Sequence, residues 1–118
     1  MNFDLDSIYC GLIRRGDVIL VQEKTLLWFV ALQDTVLNET LGTILAAPLL
    51  PARQKKNRLT EYFLPRRQTG LAGNFICELT KIRPVERRGI VAKKGELKPE
   101  DVCRLFEQMD IALGRFRD

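Results

Sequence analysis

Apolar residues in this chain arrive in short blocks, at 18–21, 26–32 and 42–50, each set off by glycine, proline or charged residues. Spacing suited to a helix appears only after Lys98. Blocks this short, rich in Val, Ile, Leu and aromatic side chains, suit strands, whereas a helix needs ten or more residues to show its period. The expectation is a mainly β chain closed by one helix. At 118 residues there is room for a single domain with one core. Its divisions read as a leader at 1–14, a β-barrel at 15–95 and a C-terminal helix at 98–114.

Gly16 and Asp17 precede the first strand at 18–21, polar residues follow at 22–25, and the apolar run at 26–32 returns, which predicts a tight hairpin. Residues 33–40 read as polar and turn-like. The block at 42–50 reads as a third strand ending near Pro48, because proline donates no ladder hydrogen bond. The stretch 51–59 is basic and poor in apolar residues, hence an exposed loop. A short strand at 60–64 is closed by Pro65, and 66–73 is a polar connection bearing glycine. Residues 74–85 alternate, with Phe75, Cys77 and Leu79 on one side and Ile76, Glu78 and Thr80 on the other, so they read as one long strand. A turn and a short strand around 90–92 follow. Pro99 suits the first helical position, Glu100 and Asp101 complement the positive end of the helix dipole, and Gly114 ends the run. Val102, Leu105, Phe106, Met109 and Leu113 form the apolar stripe between.

The chain contains no histidine, which removes Ser-His and Cys-His nucleophiles and leaves catalysis to Arg, Lys, Asp, Glu, Thr, Tyr or Cys. Cys10, Cys77 and Cys103 are far apart and make no CxxC pair, so they read as small thiols in a reducing compartment. No metal or cofactor site is expected. No apolar run approaches the ~20 residues that span a bilayer, and residues 1–6 are acidic where a signal peptide would be basic, so a cytoplasmic protein is expected.

The overall charge of +4 hides an asymmetry: residues 53–94 hold twelve basic side chains against three acids, a net +9, and the rest of the chain is correspondingly negative. Clustered Lys and Arg release counterions from phosphates, which suggests a surface facing a polyanion; a solvated face is the plainer alternative. Arg53, Lys55, Lys56 and Arg58 are the candidate phosphate-contacting loop, and Arg66 with Arg67 would extend it. Tyr62 and Phe63 lie between these clusters, so strand alternation turns one of them outward, where it could stack on a base. Trp28 sits inside an apolar run and reads as core or dimer packing more readily than as a stacking platform.

Residues 15–21 (RGDVILV) resemble the opening strand of the MazF/PemK toxins, and 42–48 (GTILAAP) resemble the third strand of that family, which ends in proline. Residues 70–84 (GLAGNFICELTKIRP) are similar to its long strand running to a basic turn. Residues 89–113 follow its closing pattern of short strand, turn and P-E-D helix start. Together these cover most of residues 15–114. The resemblance implies an SH3-like small barrel with a terminal helix, of the MazF/PemK/CcdB type, usually a homodimer. It also implies the toxin half of a type II toxin–antitoxin pair, cleaving single-stranded RNA without metal or histidine. An antitoxin's acidic disordered tail would compete with RNA for the same basic groove.

The family uses an arginine from the loop after the first strand and a threonine just after the third. Here the loop at 22–25 offers only Lys24, and the threonine position falls on Leu49, Leu50 or Pro51, so no catalytic residue carries over. Two readings stay open. In one, the cations of residues 53–58, with Thr60 or Glu61, form a relocated ribonuclease site. In the other, the fold keeps a surface for nucleic acid or protein without cleavage. The related gyrase poison CcdB ends in Trp-Gly-Ile, whereas this chain ends Gly114-Arg115-Phe116-Arg117-Asp118, so gyrase poisoning is not expected.

Overall fold

The computed structural model describes residues 8–53 and 58–114. The hairpin expected near the start is present: β1 (Asp17–Gln22) pairs antiparallel with β2 (Leu26–Ala31), and Gln22 lies opposite Leu26 across a three-residue turn. The apolar runs of these strands are continuous rather than alternating because both of their faces are buried. Val18 and Val30 enter one core, whereas Ile19, Val21, Phe29 and Ala31 enter another on the opposite face. Gly16 turns the chain into β1 with φ +93°, donating its N–H to Ala31 O (2.7 Å) and accepting from Leu97 N (2.9 Å). A side chain there would strain the backbone.

Residues 33–40 are not a simple turn. They contain α1 (Thr35–Thr40), capped by the Asp34 carboxylate, which accepts from Leu37 N at 2.8 Å. Buried Asn38 ties this helix down, its Nδ2 donating to Ile13 O and to Gln33 O, both at 2.9 Å. A helix of six residues shows no readable period, so only Asp34 announced it.

The third strand, β3 (Thr43–Pro51), runs through Pro48 instead of ending near it. The register explains how. Leu45 O accepts from Leu32 N (2.9 Å), so alternate residues Leu45, Ala47 and Leu49 address β2, and Pro48 addresses the other edge. That edge is where pairing passes from one neighbour to another. β6 (Arg83–Glu86) pairs with β3 up to Ala46, and β5 (Phe75–Glu78) takes over from Leu49. Pro48 therefore sits at the handover, where no ladder donor is needed. The single strand expected at 74–85 is accordingly two, β5 and β6, separated by a turn at 79–82 so that each can pair with a different half of β3.

β4 (Glu61–Leu64) pairs with β5, and the connection at 66–73 opens with one helical turn, α2 (Arg66–Thr69), stopped by Gly70 at φ +77°. After a 3-10 turn at Arg87–Gly89, β7 (Ile90–Glu96) extends well beyond the short strand expected at 90–92 and pairs with β1. The strand order is β4-β5-β3-β2-β1-β7, with β6 beside β3, giving a seven-stranded, mostly antiparallel sheet. It is barrel-like but not closed: no ladder joins β4 to β7 among the described residues. Instead α2, which follows β4, lies against β7 at Gly95, where any Cβ would collide with the Thr69 carbonyl. A helix thus occupies the seam that a final ladder would have sealed.

α3 (Pro99–Ala112) begins and ends as its sequence foretells, with Pro99 in the first turn and Gly114 at φ +74° just past the cap. Leu105 is fully buried in the core beneath it, with Val102, Phe106 and Met109 packed around; Leu113, expected in the stripe, is 70% exposed. Before β1, Tyr9 N donates to Ile90 O (2.8 Å), and Arg87 chelates Tyr9 O and Gly11 O, both at 2.7 Å. These bonds hold the chain against the start of β7. Of the leader expected at 1–14, residues 1–7 fall outside the described residues. No described helix is long and apolar enough to cross a membrane.

Candidate nucleic-acid interface

Strand alternation splits β3, β4 and β5 into two faces. Leu49, Cys77, Tyr62 and Leu64 turn into the core beneath α3. Leu50, Ile76 and Phe63 stand side by side on the outer face, each half-buried, in a row fixed by the pairings Leu50 with Ile76 and Ile76 with Phe63. Of the two adjacent aromatic residues, Phe63 is therefore the outward one and Tyr62, 8% exposed, is core. Glu61 and Glu78 face each other on the same outer surface. Like charges directly opposite repel, and each is balanced by a cation three residues away: Arg58 Nε is 3.7 Å from Glu61 Oε1, and Lys81 Nζ is 3.2 Å from Glu78 Oε2.

Two clefts open on this row, and a third adjoins them at the end of β3 and the start of β5. The first, about 480 Å³, is walled by Leu50, Pro51, Ala52 and Ile76 and carries Arg53, Arg58 and Glu61. A second, about 490 Å³, has Phe63 with Arg66 and Arg67 and is closed by Gly73 and Asn74. The third, about 730 Å³, shares Pro51 with the first and Asn74 with the second, and sets Trp28 beside Lys94. Asn74 holds their common boundary: its carbonyl accepts from Ala52 N (3.0 Å) and its Oδ1 from Arg66 N (3.1 Å).

The structure thus brings four of the six sequence-predicted cations, Arg53, Arg58, Arg66 and Arg67, around one sheet face; Lys55 and Lys56 lie outside the described residues. Arg53, Arg66 and Arg67 make no ion pair with any described residue. Other members of the basic stretch serve the fold. Arg83 pairs with Glu23 (2.8 Å) and lies over the Phe29 ring, Arg87 holds the chain before β1, and Lys93 is bound to Asp17 (3.1 Å) and Glu96 (2.8 Å). Trp28 packs against the core, as expected, and its remaining surface lines the third cleft. Sequence reading gave Asn74, Leu50 and Ile76 no part in the site, because they come together only through the strand register.

Chemically, the face offers guanidinium groups and carboxylates. The two ionisable residues on the inner side of β4 and β5 are held in their protonated forms: burial pushes the Cys77 thiol up strongly, and burial followed by the nearby Asp101 charge pushes the Tyr62 phenol up. Neither is poised as a nucleophile. Among the described residues no three of Cys, Asp and Glu converge as metal ligands would.

No protein-family profile and no curated protein sequence matches the chain. Solved structures do match. The Mycobacterium tuberculosis toxin MazF-mt6 superposes with a TM-score of 0.72 at 15% identity, over 82% of this chain and 95% of that one. An endoribonuclease in complex with its cognate antitoxin, from a mycobacterial species, gives 0.73 at 16% identity over 86% and 95%. MazF in a MazE-MazF structure from Deinococcus radiodurans gives 0.70 at 17% identity over 88% and 97%. At such identities the likeness speaks for the fold, and the chain has the fold of the MazF toxins.

Proposed function

We propose that this chain is the toxin-like partner of a toxin–antitoxin pair, a metal-independent endoribonuclease that draws single-stranded RNA across the outer face of β3, β5 and β4. The observation that carries the reading is the gathering of Arg53, Arg58, Arg66 and Arg67 around a half-apolar face that presents Phe63, with Trp28 in the cleft adjoining it. Cations for phosphates and aromatic surfaces for unstacked bases are what single-stranded binding needs. A guanidinium can stabilise the charge that builds on a pentacoordinate phosphate, and a carboxylate can take the attacking proton. The same groove suits an antitoxin's acidic tail, and the fold's neighbours include an endoribonuclease held by its cognate antitoxin. The protein would act in the cytoplasm as a homodimer.

A second reading, a module that binds RNA without cutting it, is favoured by one feature. The turn between β1 and β2 is only Glu23, Lys24 and Thr25, and β3 ends in Leu49, Leu50 and Pro51, so these two places offer neither the arginine nor the threonine that the resemblance leads one to expect there. Incubating the protein with a long single-stranded RNA, without added metal, and mapping new ends decides between the two. Discrete cuts support the ribonuclease; intact RNA with binding retained supports the silent module. For either, Arg66→Glu with Arg67→Glu should weaken RNA binding and flatten its salt dependence by roughly 1.4 in log–log slope, at ~0.7 per lost phosphate contact. An unchanged slope would sink the interface.

A further inference from the structure

A carboxylate is out of place on a surface meant for phosphates, and Glu61 stands in the first cleft beside Leu50, Pro51 and Ile76. Its backbone is fixed, since Glu61 N–H donates to Arg58 O (3.2 Å) and Arg58 N–H donates to Glu61 O (3.1 Å). Its side chain, 26% exposed, is steadied at one oxygen by Arg58 Nε at 3.7 Å. Leu50, Pro51 and Ile76 supply flat apolar walls around it, and Arg53 stands at the rim. The other acid on this face, Glu78, is occupied by Lys81.

The geometry points to a base-reading subsite in which Glu61 selects guanine within single-stranded RNA. This rests on the RNA-binding reading above and specifies it. A carboxylate offers only acceptors. Guanine alone presents two adjacent donors on its Watson–Crick edge, N1–H and the 2-amino group, and these match two carboxylate oxygens. Adenine and cytosine set one amino donor beside a ring nitrogen whose lone pair would face the carboxylate. Uracil flanks its one N–H with two carbonyls. The cleft's volume of about 480 Å³ accommodates one nucleotide, with the base between apolar walls and a neighbouring phosphate at Arg53. The carboxylate already stands partly buried in the cleft before the base arrives, so part of its ordering cost is met in the free protein.

The test measures binding of short 2′-O-methyl oligonucleotides, which cannot be cleaved through the ribose hydroxyl, identical except for one guanosine, inosine or adenosine. The guanosine form should bind about tenfold more tightly than the adenosine form, the scale of one bidentate base contact. Inosine, which lacks the 2-amino group, should fall between. Glu61→Gln should erase the difference by weakening the guanosine form alone. Equal binding of guanosine and adenosine forms by the unaltered protein overturns the subsite while leaving RNA binding standing, and so does a preference that survives Glu61→Gln. No binding of any oligonucleotide overturns both readings. The inosine comparison changes only the ligand, so it holds even if the variant misfolds. Guanosine monophosphate, lacking neighbouring phosphates, should bind more weakly than the oligonucleotide; equal affinity would make this a mononucleotide site and overturn the RNA assignment.

Discussion

Replacing Asp17 by asparagine should destabilise the protein by about 2–3 kcal/mol. The Asp17 carboxylate is 1% exposed and its Oδ2 takes two hydrogen bonds, from Arg14 N at 2.7 Å and Lys93 Nζ at 3.1 Å. Removing one member of a buried ion pair ordinarily costs about 3–5 kcal/mol, because the other charge is stranded. Two features pull the figure down. Lys93 keeps Glu96 at 2.8 Å, and asparagine can still accept from Arg14 N–H. At this chain length the loss corresponds to a fall in Tm of roughly 10 °C. Urea unfolding followed by the fluorescence of Trp28, the one tryptophan in the sequence, reads it directly. Lys93→Met should cost a similar amount, and the double variant less than the sum, since neither charge is then left alone. Strict additivity, or a loss for Asp17→Asn below about 0.5 kcal/mol, would refute the reasoning.

The same pair has a pH signature. Burial alone would depress the Lys93 ammonium, but its hydrogen bonds to Glu96 and Asp17 outweigh that and leave its pKa raised. A raised pKa on a cation means its stabilisation is complete below the ordinary lysine value, about 10.4, and is lost as pH climbs through the folded-state value. The stability gap between the natural protein and Lys93→Met should therefore hold steady near neutrality and close only in strong alkali.

Two further outcomes check the core. Leu105→Ala, which empties a fully buried site beneath α3, should cost about 2–5 kcal/mol in urea unfolding; a cost under about 1 kcal/mol would mean that the helix is not packed as described. In the native protein Cys10 and Cys103, both exposed, should react with a thiol reagent, whereas buried Cys77 should react only on unfolding, so a third fast thiol would contradict the β5 register.

Elements with local signatures were legible in the sequence. The Gly16-Asp17 turn, the 18–32 hairpin and the helix from Pro99 each carry their own start and stop chemistry, and they form where that chemistry places them. Pro48 misled because its missing donor matters only if the neighbouring strand asks for one, and which strand lies opposite is a tertiary fact. Likewise the alternation at 74–85 runs unbroken in the sequence, while the break at 79–82 comes from β3 pairing with two partners in turn. The arginines of the candidate face could be named from their clustering. Its floor could not, because Leu50, Ile76 and Phe63 meet only through long-range register. The unsealed seam also escaped a local reading, since it turns on Gly95 admitting α2 to the edge of β7.

The pairing of β1 with β7 joins Ile19 to Lys93, more than 70 positions apart. On the ribosome, at roughly 5–20 residues per second, β1 would wait several seconds for its second neighbour to be made. Throughout that interval the hairpin of β1 and β2 bears an open, strongly apolar edge, the kind that recruits other nascent chains. Truncations that stop short of Ile90 should therefore be found in aggregates or bound to chaperones rather than as shorter folded proteins.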